Sequence, residues 1–234
     1  MQFFIGTSGY SYKEWKGSFY PEKISPKKML PFYGEHFNTT EINYTFRTMP
    51  TEAILQSWAE QVPESFRFAL KAPQAITHFK RLKNTGEATE LLFHNAAVLK
   101  DRLGPILFQL PDTLKKDVGL LDAFLKSLGE HGKVAFEFRH ASWFDEEVYD
   151  CLRNHSVALC SADTAEVPLT GLVSTADWGY VRLRGVDYSA ADIRQWHERI
   201  QSQKWQEAYV FFKHEDTGSG PKLAKQLLEL MNHK

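Results

Sequence analysis

Four runs of this chain carry charge along strand-like segments: Glu41-Ile42-Asn43-Tyr44-Thr45-Phe46, Phe66-Arg67-Phe68-Ala69-Leu70-Lys71, Val134-Ala135-Phe136-Glu137-Phe138-Arg139 and Tyr180-Val181-Arg182-Leu183-Arg184. Successive residues of a strand point to opposite faces. In each run one face is apolar, while the other collects Glu41, Asn43, Lys71, Glu137, Arg139, Arg182 and Arg184. The same parity along the remaining strand-like runs adds Gln109, Asp163 and Lys213, giving five cations against three carboxylates.

These residue types do chemistry. Glu41 or Glu137 would serve as general base or acid, with His78 or His140 as proton shuttle. Lys71, crowded by cations, would have a lowered pKa and act as a Schiff-base amine. Arg139, Arg182 and Arg184, with Lys213, would grip the oxygens of a phosphate or carboxylate, which the guanidinium fork matches. An unpaired charge held away from water costs several kcal/mol, and a whole domain has about 5–15 kcal/mol of stability. Such a set must be paired, wet, or both. The bland alternative is a structural ion network in which Glu137 and Arg139 fix register. Arg67, at the start of its strand, reads as structural.

The elements that must position this set alternate regularly. Strand-like runs recur at Phe3–Gly6, Thr40–Phe46, Phe66–Ala72, Pro105–Leu110, Lys133–Arg139, Val157–Asp163, Gly179–Gly185 and Glu207–His214. Between most of them lie segments of helical period. Pro26–Phe37 has Ser25 as N-cap and Pro26 in the first position. Thr51–Gln61 aligns Ile54, Leu55 and Trp58. Leu120, Leu121, Phe124, Leu125 and Leu128 share a face, as do Leu223, Leu227, Leu230 and Met231. Ser189 and Asp192 have capping-box spacing. Strands alternating with helices imply a parallel sheet, and eight such units in one domain predict a closed (β/α)8 TIM-like barrel spanning 1–234. Thr164–Asp177, with Pro168 and Gly171, lacks helical period, so an irregular connection is expected between strands six and seven. Most of the charged set falls at the C-terminal ends of strands, where barrel active sites are built.

Three loops at that end add to the site. The first is aromatic: Tyr10 and Tyr12 lie nearest the strand and read as pocket walls for a planar ligand, whereas Trp15 and Phe19 read equally well as an apolar tether. The second carries His78 within Thr77-His78-Phe79-Lys80-Arg81-Leu82-Lys83, a basic run that is a solvated face or a phosphate contact. The third, Thr217-Gly218-Ser219-Gly220-Pro221, leads into a helix whose free N–H groups suit an anion.

Composition narrows the setting. The chain has 234 residues, a formal net charge of −1 and two cysteines without metal or redox spacing. That charge gives no global attraction for nucleic acid or membranes. No run is long and apolar enough to span a bilayer, and no leader pattern opens the chain. A cytoplasmic protein acting without a cofactor is expected.

The motifs resemble domain-of-unknown-function family 72, the YecE-like family of TIM-like barrels. The resemblance rests on Gly6-Thr7-Ser8-Gly9-Tyr10, Trp15-x-Gly17-x-Phe19-Tyr20-Pro21, Glu41-x-Asn43, Lys71-Ala72-Pro73 with Thr77-His78, Gln109-Leu110-Pro111, Ala135-Phe136-Glu137-Phe138-Arg139-His140-x-Ser142-Trp143 and Tyr180-Val181-Arg182-Leu183. It implies a barrel and no established activity. Where the family commonly ends its seventh strand in His-Gly, this chain has Arg184-Gly185; where it ends its eighth in Phe-Asn-Asn, this chain has Phe212-Lys213-His214. Both departures put a basic side chain at the mouth.

Three function classes fit. The first is an enzyme acting on a small phosphate- or carboxylate-bearing molecule. The second is metal-assisted phosphoester or nucleic-acid chemistry drawing on Glu41, His78, Glu137, His140 and Asp163, disfavoured because cations crowd these carboxylates and no paired His spacing appears. The third is a non-catalytic module that binds an anion or nucleotide.

Overall fold

Eight parallel strands close into a barrel in chain order: β1 (Gln2–Ser8), β2 (Thr39–Ile42), β3 (Arg67–Lys71), β4 (Leu103–Gln109), β5 (Val134–Glu137), β6 (Ala158–Asp163), β7 (Trp178–Leu183) and β8 (Glu207–Phe212). This computed structural model describes residues 1–129, 132–163, 171–185, 187–214 and 218–232. Among them, helices run over α1 (Pro26–Gly34), α2 (Tyr44–Arg47), α3 (Glu52–Ala59), α4 (Gly86–Ala96), α5 (Val118–Leu128), α6 (Glu146–Asn154), α7 (Ala190–Gln201) and α8 (Ser219–Asn232). The (β/α)8 expectation holds. The irregular connection falls partly on 164–170, outside the described residues; 171–177 contain neither helix nor strand.

The alternation of side chains builds two cores. Outward residues such as Leu70, Phe108, Phe136, Val181 and Val210 pack against Leu55, Leu92, Leu121, Phe124, Leu152, Ile193 and Leu227 of the helices. Inside the barrel, Phe4, Trp178, Tyr180, Tyr209 and Phe211 come from the adjoining strands β1, β7 and β8, while Ala69, Ala135, Ala158 and Cys160 come from β3, β5 and β6. Large side chains from β1, β7 and β8, with Leu107 of β4, thus meet small ones from β3, β5 and β6 in a packed interior. Phe4 stacks on Tyr209 at 4.6 Å between centroids, and Arg67 closes the N-terminal end over Phe4, 5.7 Å from its centroid. The structural reading of Arg67 stands.

Of the starts of α1, α3 and α7, two carry side-chain caps. Thr51 caps α3 by accepting from Ile54 N–H. Ser189 and Asp192 form a reciprocal capping box on α7. Ser25 stands at the N-cap of α1 with Pro26 following, but its side chain makes no capping bond. Gly6 is required by close approach: a Cβ there would lie 2.0 Å from the Thr39 carbonyl oxygen and 2.7 Å from the Tyr33 hydroxyl.

Two expectations are corrected. The second strand ends at Ile42, and Tyr44-Thr45-Phe46 turn into the single-turn α2 instead of continuing it. Asp163 does not point into the barrel. It shares the outward parity of Leu159, and its carboxylate accepts from the Tyr188 hydroxyl at 2.5 Å. Val157 and Leu159 mark the outward face of this run, and Asp163 shares their parity, whereas Ala158 and Cys160 face the barrel interior.

Candidate functional site

A buried ion network lies above the inner aromatic layer. Arg182, 1% exposed, extends from β7 between Glu41 of β2 and Glu137 of β5, both fully buried. One guanidinium nitrogen donates to Glu41 Oε1 at 2.8 Å, and the other pairs closely with Glu137 Oε2. The Tyr180 hydroxyl donates to Glu41 Oε2 at 2.7 Å. Ser8 Oγ donates to Glu41 Oε1 and accepts from Asn43 Nδ2 at 2.9 Å. Arg139 Nε stands 2.7 Å from Glu137 Oε1, although that contact lacks hydrogen-bond alignment.

The electrostatics follow from this crowding. Burial alone would raise the Glu41 carboxyl, but Arg182, with hydrogen bonds from Ser8 and Tyr180, holds it below the ordinary value. Burial opposes ionisation of Glu137 as well; Arg182, Arg139, the Gln109 amide and Lys71 outweigh it and bring its pKa to about 2. Both carboxylates are therefore ionised and already committed to cations.

Lys71 at the end of β3 is different. Its ammonium lies over the Phe46 ring, 3.9 Å from the centroid, and among the described residues no carboxylate comes within 4 Å of it. Burial, then the Arg182 charge, lower its pKa to about 8 against the attraction of Glu41 and Glu137. Phe46 is placed there by the turn after β2: Thr45 Oγ1 donates to the Lys71 carbonyl at 2.7 Å, tying α2 to the end of β3.

Around Lys71 the rim is cationic and partly open. The side chains of Arg139 and Arg184 are 23% and 22% exposed. Burial and then Arg139 and Arg182 lower the Arg184 pKa. Lys213 is close enough to contribute to the lowered Lys71 pKa. His78 meets Phe46 edge-on at 5.0 Å; burial, Lys71 and Arg139 depress its pKa. His78 sits in a π-helical turn, Ala75–Phe79, followed by Arg81, Leu82 and Asn84 at positive φ. Such backbone concentrates at functional sites.

Other sequence-predicted residues occupy flanking positions. Gln109, 8% exposed, pairs in register with Glu137. Asn43 lies past β2 and links the network to a cleft of about 260 Å³ lined by Tyr10, Tyr12, Tyr44 and Trp58. Trp15 and Tyr20 are buried in the first loop, and Phe19 packs on Phe32 and Phe37, so this part of the loop is a tether. His140 precedes the short turn Ala141–Trp143. Its Nδ1 accepts from Ser142 N–H at 3.1 Å and caps the turn after β5. Of the helix-entry loop, Thr217 lies outside the described residues; Gly218 has φ +67° and α8 begins at Ser219. His214 Nε2 lies 2.5 Å from the Gly185 carbonyl oxygen, joining the ends of β7 and β8.

Sequence reading missed Ser8, Tyr180 and Phe46. Ser8 was recoverable from the parity of Phe4 and Gly6, and Tyr180 from its place two residues before Arg182. Phe46 was not, because strand periodicity continued past the true end of β2. The metal-ligand set does not converge either: Glu41 and Glu137 are held by Arg182, Asp163 points outward, and His140 caps a turn.

Together these features define a closed parallel barrel with an ionised floor and a cationic rim at its C-terminal mouth. The chain belongs to the DUF72 family, described as protein of unknown function DUF72, whose profile matches residues 4–234. UPF0759 protein YunF of Bacillus subtilis (strain 168) is 24% identical over 272 aligned positions, covering 98% of this chain and 94% of the relative. UPF0759 protein YecE of Escherichia coli (strain K12) is 25% identical over 236, covering 86% and 84%. Among solved structures, a DUF72 family protein (TM1631) of Thermotoga maritima MSB8 superposes with a TM-score of 0.87 at 28% identity, covering all of both chains. A DUF72 family protein of Enterococcus faecalis V583 shares the fold at a TM-score of 0.84 and 18% identity, covering 100% of this chain and 96% of that one. No helix among the described residues is long and apolar enough to cross a membrane.

Proposed function

We propose that the C-terminal mouth of the barrel binds a small molecule bearing a phosphate or carboxylate group, and that Lys71 is the amine that reacts with it. The observation that carries this reading is the charge imbalance of the site. Among the described residues, Lys71, Arg139, Arg182 and Arg184 gather around two carboxylates, Glu41 and Glu137, which Arg182 bridges and, at Glu137, Arg139 and Arg184 also approach. The excess positive charge at a partly open rim favours an anion, and Arg139 and Arg184 offer planar donor forks for its oxygens.

Lys71 supplies the reactive group. With a pKa of about 8, about a tenth of it is neutral at pH 7, against about three in ten thousand for an ordinary lysine. A neutral amine can take a proton from substrate, or add to a carbonyl carbon with loss of water to give an imine. Glu41 and Glu137 enter as positioning residues: they hold Arg182, and their charges limit how far the Lys71 pKa falls. His78, beside Lys71 and half-buried, is the proton shuttle, whereas His140 supports the turn beside Arg139.

A thermal-unfolding panel of inorganic phosphate, sugar phosphates, nucleotides and dicarboxylates tests the binding half. A ligand at about a hundred times its dissociation constant adds about 2.7 kcal/mol. At least one anion class should stabilise the protein, and Arg139→Gln and Arg184→Gln should each weaken that effect. No stabilisation by any class, or full stabilisation of both variants, contradicts the proposal. Binding retained with no turnover in the wild type would make the protein a binding module.

A further inference from the structure

Outside the barrel, between α5 and α6, three potential metal ligands meet. Asp122 lies on α5, Cys151 on α6, and His155 is the C-cap of α6. Cys151 and His155 are four residues apart, so they share one helical face. That face is turned to α5, where Asp122 Oδ1 lies 2.9 Å from His155 Nε2. The sulfur, one ring nitrogen and one carboxylate oxygen all fall within 4.8 Å of one another.

We propose that Asp122, Cys151 and His155 form a three-ligand site for a divalent transition metal of the zinc class, with water completing a tetrahedron. An ion at about 2.0–2.3 Å from nitrogen, oxygen and sulfur donors holds them about 3–3.6 Å apart, so the sulfur and the His155–Asp122 pair would close on it by side-chain rotation. The donor set selects the ion: thiolate and imidazole suit zinc or cobalt, not magnesium or calcium. Cys151 has no disulfide, and the other cysteine, Cys160, belongs to the barrel interior. Lys126 Nζ lies 2.6 Å from Asp122 Oδ2, the carboxylate oxygen turned away from His155. It orients the carboxylate from outside while Oδ1 faces the ion. The side chains of His155 and Asp122, 22% and 37% exposed, leave an approach from solvent. An ordinary His–Asp surface pair would not require a sulfur at the same point. The ion would clip together the helices before and after β5, the strand that carries Glu137.

Cobalt(II) titration of the full chain, purified with chelator and then freed of it, tests the site. The expected result is one cobalt per chain with a sulfur-to-cobalt charge-transfer band, displaced by zinc. The band should vanish in Cys151→Ser and persist in Cys160→Ser. Affinity should fall about tenfold or more in Asp122→Asn and in His155→Gln, the loss typical even of groups that only support a ligand. His155→Gln alters only a partly exposed helix end, so it keeps the test decisive if Cys151→Ser misfolds. No band, a band surviving Cys151→Ser, or undiminished affinity in His155→Gln overturns the proposal.

Discussion

Lys71 is held at a cost. Its folded pKa of about 8 lies below the 10.5 of a free lysine, so between those values the folded state holds fewer protons than the unfolded chain. Stability therefore rises as pH climbs from about 8 to 10.5, and the full penalty is present below 8. A shift of this size corresponds to about 3 kcal/mol. Lys71→Met should stabilise the protein at pH 7 by up to that amount, lose the gain near pH 10.5, and abolish any reaction at the mouth; urea unfolding at both pH values checks it. Glu137 runs the other way. Its pKa of about 2, against 4.5 in the free state, contributes stability that is complete above 4.5 and lost as pH falls toward 2. Arg182→Met should cost about 3–5 kcal/mol at neutral pH, because it strands buried Glu41 and leaves Glu137 only the partly exposed Arg139 and Arg184. Parity alone exposed Glu41, Lys71, Glu137 and Arg182, since a charge on an otherwise apolar strand stands out. Ser8 and Tyr180 carry no such mark, although they hold Glu41.

Element boundaries explain the rest of what the sequence hid. All eight strands could be read as short apolar runs between helical segments, and the cap of α7 from Ser189 and Asp192. The end of β2 could not. Tyr44-Thr45-Phe46 continues the alternation, but Thr45 bonds to the Lys71 carbonyl and folds the chain into α2, bringing Phe46 over the Lys71 ammonium. A cation over an aromatic face gains about 0.5–2 kcal/mol, so Phe46→Leu should lower the Lys71 pKa further, as a side-chain NMR titration would reveal. Asp163 was misplaced although Val157 and Leu159, on its own parity, mark the outward face: small residues on the inward face, Ala158 and Cys160, left the contrast between the faces weak. A slip of one residue then turns a side chain from one face to the other.

At the scale of the molecule, the barrel was readable because eight alternating units leave few other topologies, and the mouth because strand ends gather there. Which charges remain available was not readable. Only the closed barrel brings β2, β5 and β7 near enough for Arg182 to engage both carboxylates, with Arg139 and Arg184 also against Glu137, so that among the described residues cations outnumber carboxylates at the mouth. That excess of cations over carboxylates is what an external anion would offset. Its most direct measurement is an NMR titration of the Lys71 side chain with and without inorganic phosphate, or whichever anion stabilises best. Lys71 should titrate at about 8 in the free protein and higher once the anion binds, because a nearby negative charge favours the ammonium. A value of 10 or above, unmoved by any anion, would contradict it.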